Sequence, residues 1–145
     1  MKCITVKQPW ATLLVAGATR YLVRDWRTFH RGPLVIGASN RLPRAGVELC
    51  CDPDMRAILR RYGYDYAMEL PIRAALGTVS LADCLLATRD TLTLLDPEDP
   101  AMVFGWVQLG CWVWICQDLR AFGCPVPMAG RLGIYSIPNS LIPGP

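Results

Sequence analysis

The chain changes its hydrophobic periodicity within the first seventeen residues, and that change restricts the folds open to it. Cys3 to Lys7 is rich in β-branched side chains and reads as a strand, whereas Trp10, Leu13, Leu14 and Gly17 recur at helical spacing. Pro9 lies between them, and a proline suits the first turn of a helix, where its missing N–H needs no partner. The spacing predicts a helix from about Pro9 to Ala16, stopped by Gly17. Lys7 and Gln8 then stand at the junction of a strand and a helix N-terminus, where free amides favour anions.

The rest of the chain reads mostly as strands. Tyr21 to Arg24 is a short one, and a clearer one runs from Leu34 to Ser39 after the Gly32-Pro33 turn. Asp52 followed by Pro53 is an N-cap and first-turn pair, opening a helix through about Tyr62 with Gly63 as its stop. Met55, Ile58, Leu59 and Tyr62 form its apolar stripe, and Arg56, Arg60 and Arg61 lie off it. Leu76 to Ala87 reads as a buried strand, Asp90 to Pro100 as an acidic, proline-bearing loop with one short turn, and Cys111 to Cys116 and Leu132 to Ile137 as further strands. Five to six strands with two or three helices, and no repeating βαβ rhythm, predict an α+β chain built on a small mixed barrel.

At 145 residues, with 52% hydrophobic and 19% charged residues, the chain is expected to form one globular domain over 1–145 rather than a disordered segment. Apolar runs such as Leu13 to Ala18 are too short to span a bilayer, and no leader-like apolar core follows Lys2. The expectation is a soluble, cytoplasmic chain without a membrane partner. The seven cysteines show no C-x-x-C spacing and His30 is the one histidine, so reduced thiols are expected, with no metal site and no cofactor.

Charge is unevenly placed. Residues 1–61 hold eleven of the fifteen Lys and Arg but four of the twelve Asp and Glu, and thirteen of the fifteen cations are arginine. Two clusters concentrate the effect: Thr5-Val6-Lys7-Gln8-Pro9-Trp10 and Arg24-Asp25-Trp26-Arg27-Thr28-Phe29-His30-Arg31. Each sets an indole beside cations and hydroxyl or amide donors, a pairing that suits a phosphate backbone carrying stackable bases.

Several segments together resemble the ASCH family, whose domains are similar in fold to the PUA RNA-binding barrel. They are Lys7 to Leu14 with Gly17, Arg24 to Thr28, Arg31 to Leu34 with Ile36, Ala38 and Ser39, Leu76 to Val79 with Asp83 and Cys84, Trp114, and Pro125 to Tyr135. The resemblance covers nearly the whole chain and implies a nucleic-acid-related role in a cleft beside the barrel. Some small members resemble amidohydrolases acting on acylated nucleosides, and others have been proposed as nucleases. In those hydrolases a lysine lies two residues after the glycine matching Gly17, an acidic or polar residue three further on, and an arginine two after that. Arg24 keeps the arginine, but the other two places hold Thr19 and Leu22. Neither can act as an amine base or a titrating acid.

The candidate nucleic-acid-binding residues are therefore Lys7, Gln8, Trp10, Arg24, Trp26, Arg27, Thr28, Arg31 and Ser39. Arg24 and Arg27 would meet phosphate, while Thr28 and Ser39 would donate hydrogen bonds. Trp10 also fits a core position, and the basic residues also fit a solvated edge. Asp83, in an otherwise apolar strand, should either pair with an arginine or have a raised pKa. The leading expectation is a module that binds nucleic acid, RNA before DNA, or a nucleoside, through a basic cleft. A small hydrolase acting on a modified nucleoside or RNA would need a base from Lys7, Asp83 or His30. A protein-interaction domain that has lost the ligand site is the third reading.

Overall fold

The computed structural model describes residues 1–144. Six strands form one mixed sheet: β1 (Lys2–Val6), β2 (Tyr21–Arg24), β3 (Gly32–Ala38), β4 (Ala74–Leu86), β5 (Trp112–Pro127) and β6 (Ile134–Ser136). Their order is β2-β5-β4-β3-β1-β6. Only β1 and β3 run parallel, with α1 (Trp10–Val15) and β2 in the connection between them. The order has two ends, β2 and β6, and no ladder joins them among the described residues. These pairings leave the sheet open where a closed barrel was expected.

Both faces of the sheet are covered near its centre, which is why Leu34 to Ala38 is an unbroken apolar run rather than an alternating one. Leu34 and Ile36 join Ile4, Val6, Leu14, Leu22 and Trp114 on one face, while Val35 joins Cys3, Ala75 and Ile137 on the other. Helix α1 is buried over Ala11 to Val15 because it is sandwiched. Leu14 packs on the sheet, and Leu13 packs with Cys50, Met55 and Leu59 of α2 (Arg44–Cys50) and α3 (Pro53–Arg61). A helix apolar on two sides is what such a layer requires.

Helix α3 begins where Asp52 accepts hydrogen bonds from the Asp54 and Met55 amides at 2.9 and 3.1 Å, and its stripe buries Met55 and Leu59. Helix α2 was not expected. It buries only Gly46 and Cys50, so it carries no apolar period to read. Gly46 is required there, because a β-carbon would strike the Gln8 carbonyl oxygen.

The acidic stretch after β4 is not a plain loop. Thr88 caps α4 (Arg89–Leu92) and Asp99 caps α5 (Pro100–Val103), bringing the helices to five against the two or three expected. The largest boundary difference is β5, expected to end at Cys116 and found to continue to Pro127. It pairs with β4 from Leu86↔Trp112 to Ala74↔Pro127 through three register shifts. Beyond Cys116 its residues are largely exposed, so they lack the hydrophobic signature of a core strand. β6 is shorter than expected, Ile134–Ser136 instead of Leu132 to Ile137. No helix of the described residues is long and apolar enough to cross a membrane.

Candidate nucleic-acid interface

Two cavities open beside the β1–α1 junction. The first, about 260 Å³, is lined by Val6, Lys7, Trp10, Leu14, Thr19, Tyr21, Leu22, Val23, Arg24 and Trp106. The second, about 440 Å³, is lined by Ile4, Thr5, Lys7, Arg24, Trp26, Ser39, Asn40 and the loop Gly130-Arg131-Leu132-Gly133. Lys7 and Arg24 belong to both walls. Among the described residues, three cations, Lys7, Arg24 and Arg131, line the pair, and no Asp, Glu or His does.

Arg24 ends β2 and projects back toward β1. Its Nη2 donates to the Thr5 carbonyl oxygen at 2.7 Å, and its Nε is buried without a partner. Burial pulls the guanidinium below its ordinary pKa, an effect that neighbouring Asp25 opposes only in part. A partly desolvated cation without a bonded carboxylate is a costly arrangement for the protein alone and a favourable one for an incoming anion.

The aromatic groups are fixed by packing. Trp26 stands edge-on to the buried Trp114, with ring centroids 4.8 Å apart at 88°, and remains 36% exposed at the rim of the second cavity. Trp10 and Trp106 meet edge to face at 5.9 Å, and Phe104 stacks on Trp106 at 5.7 Å. The loop that closes the second cavity is tied down twice: the Gly130 amide donates to Asn40 Oδ1 at 2.8 Å and the Arg131 amide to Thr5 Oγ1 at 3.1 Å. A β-carbon at Gly130 would lie 2.8 Å from Thr5 Cγ2, so glycine permits that approach.

The structure brings Lys7, Trp10, Arg24, Trp26 and Ser39 to these two cavities. It places the other candidates elsewhere. Gln8 is fully buried. Its Oε1 accepts from the Thr12 amide at 3.0 Å and its Nε2 donates to the Pro71 carbonyl at 2.7 Å. It thus satisfies an otherwise orphaned N–H of α1's first turn instead of facing a ligand. Thr28 is buried too, and its hydroxyl accepts from the His30 amide at 3.1 Å within a turn. Arg27 lies over the Phe29 and Trp112 rings, at 4.6 and 5.4 Å.

Arg31 donates to the Thr28 and His30 carbonyls and pairs with Asp83 at 3.6 Å, so the strand carboxylate has the arginine partner that its position called for. Neither Asp83 nor His30 lines either cavity. Thr19, at the place of the hydrolases' lysine, gives its hydroxyl proton to Asp99 Oδ1 at 2.6 Å. Asp99 also accepts from the Arg20 and Ala101 amides, which makes this a structural cluster. Leu22, at the place of the acidic residue, is an apolar wall of the first cavity.

Thr5, Tyr21, Asn40, Trp106 and Arg131 line the cavities and were absent from the expected set. A cation bracketed by glycines in Gly130-Arg131-Leu132-Gly133 is a legible signal for a surface loop. Trp106 offered none, since its neighbours in sequence do not share its cavity. Among the described residues, no group of three or more His, Cys, Asp or Glu could hold a metal ion.

No protein-family model matches the chain. The sequence is similar to Activating signal cointegrator 1 of Homo sapiens, 39% identical over 144 residues, and to that of Mus musculus, 37% identical over 142 residues. Each match covers 98% of this chain, which spans 23% of the length of either relative. The fold is similar to the crystal structure of ASCH from Zymomonas mobilis, with a TM-score of 0.54 and 11% identity over 97% of this chain and 89% of that one. A point mutant of the same protein aligns with a TM-score of 0.54 and 11% identity, over 97% of this chain and 91% of that one. Residue clusters and fold agree: the chain has the fold of the ASCH structures and is similar in sequence to a matching part of Activating signal cointegrator 1.

Proposed function

We propose that this domain binds single-stranded nucleic acid, RNA in preference to DNA, across the surface that carries Lys7, Arg24, Trp26 and Arg131. The observation that carries the reading is the Arg24 guanidinium, held between two cavities with no carboxylate in either lining. Phosphate oxygens would complete its hydrogen bonds, and Lys7 and Arg131 would neutralise the phosphates on either side. Trp26 presents an indole at the rim for an unpaired base. The preference for RNA rests on the family's PUA-like fold. Lys7, Arg24 and Arg131 form the basic cleft of this reading, and the Asn40 side-chain amide supplies a neutral donor along it. The Ser39 hydroxyl instead donates to the Arg41 carbonyl at 2.8 Å, and the Thr5 hydroxyl is held by Tyr135 and the Arg131 amide.

A hydrolase is the weaker reading, because Lys7 is the one candidate base that borders a cavity. The test is binding of a short unstructured RNA at low salt, measured by fluorescence anisotropy. Affinity that falls steeply with salt and drops in Arg24→Ala supports the reading. No binding of RNA, single-stranded DNA or nucleosides at low salt overturns it in favour of a protein-interaction role.

A further inference from the structure

The two cavities differ in character, and the difference matches the two halves of a nucleotide. The first is walled largely by Leu14, Leu22, Trp10 and Trp106, and at about 260 Å³ it falls below the range of about 300–1,000 Å³ usual for drug-sized ligands. It has room for a flat heterocycle. Its hydroxyls are already engaged: Thr19 donates to Asp99, and the Tyr21 hydroxyl accepts from the Asp96 amide. The second cavity is also apolar over most of its lining but holds more polar groups, Thr5, Ser39, Asn40 and Arg131, with Lys7 and Arg24 on the shared wall.

Resting on the reading above, we infer that one unpaired nucleotide spans both cavities. Its base enters the first cavity against Trp10 and Trp106, and its phosphate enters the second between Lys7, Arg24 and Arg131. Arg24 sits where the sugar–phosphate linkage crosses from one compartment to the other. Its Nε is buried out of reach, but the single bond of its Nη groups, to the Thr5 carbonyl, leaves Nη donors for the phosphate at that crossing. The domain then selects a single extruded nucleotide within a strand, where a uniform basic groove would track several phosphates alike.

The experiment follows amide and indole NMR shifts of the domain during titration with ribose 5-phosphate, uridine, UMP and AMP. A short unstructured RNA is titrated in parallel. Expected are shifts around the second cavity alone with ribose 5-phosphate, around the first alone with uridine, and around both with the better-bound nucleotide. That nucleotide should bind about tenfold or more tightly than ribose 5-phosphate, the contribution of a stacked base. Trp106→Leu should remove this advantage and leave ribose 5-phosphate binding intact, while Arg131→Gln should weaken the nucleotide and leave uridine unchanged.

Nucleotide affinity no greater than that of ribose 5-phosphate, or one set of shifts common to all probes, overturns the inference even if RNA binds with salt dependence. Phosphotyrosine binding more tightly than either nucleotide also overturns it. No binding of the RNA overturns the broader reading and this one together.

Discussion

Replacing Lys7 and Arg131 together by glutamine isolates the electrostatic part of the account. Lys7 is exposed, and Arg131 reaches the Tyr135 ring only at 5.9 Å, so both can change without disturbing the core. With Arg24, they are the three cations lining the cavities. If each neutralises one phosphate of a single strand, log affinity should fall with log salt at a slope of about −2.1. Raising salt about fourfold, from roughly 50 to 200 mM, then weakens wild-type binding about 18-fold. The double variant retains one such contact, so its slope should be about −0.7 and the same change in salt should cost about 2.6-fold. Anisotropy titrations with a labelled single-stranded RNA at four salt concentrations give both slopes. Equal slopes in the two proteins would refute the assignment of these cations to phosphate, whatever their absolute affinities.

Other consequences concern the framework around the site. Arg24→Met should leave unfolding stability within about 1 kcal/mol of wild type, since buried charges are often replaced by apolar groups at little cost. The same variant should bind RNA about tenfold or more weakly, and a large loss in urea denaturation would mark Arg24 as structural instead. Asp99→Ala strips the Thr19 hydroxyl and the Arg20 and Ala101 amides of their acceptor, and should cost about 2–4 kcal/mol by the same assay. Iodoacetamide at pH 8 should label exposed Cys51 and Cys124 in the native protein. It should spare Cys3, Cys50 and Cys116, whose pKa values burial raises, that of Cys116 to about 12, as peptide mass spectrometry would show. The unfolded chain releases thiol protons near the ordinary value of 9.0 while the folded chain keeps them. Stability should therefore decline as pH rises above about 9, visible as a falling urea midpoint.

What could be read from sequence was whatever local chemistry determines. Asp52-Pro53 announces α3 because a cap and a first-turn proline act within four residues, and Leu34 to Ala38 announces a strand through its own apolar run. β5 beyond Cys116 was illegible because its strand character comes from pairing with β4, not from a buried face of its own. The site divides in the same way. Lys7, Trp10, Arg24 and Trp26, named from the chemistry of adjacent residues, line the two cavities. Gln8 and Arg31 have equally suitable side chains, yet their partners, Pro71 and Asp83, lie far along the chain and turn them inward or aside. Trp106 completes a cavity with Trp10 from ninety-six residues away, a contact that only the tertiary fold creates.

The most direct test of the proposed surface is photocross-linking of a 4-thiouridine-containing single-stranded RNA, with the adducts mapped by peptide mass spectrometry. Adducts are expected in the peptides that hold Lys7 and Trp10, Arg24 and Trp26, and Arg131. Adducts confined to the arginine-bearing helix α3, at Arg56, Arg60 and Arg61, would contradict it.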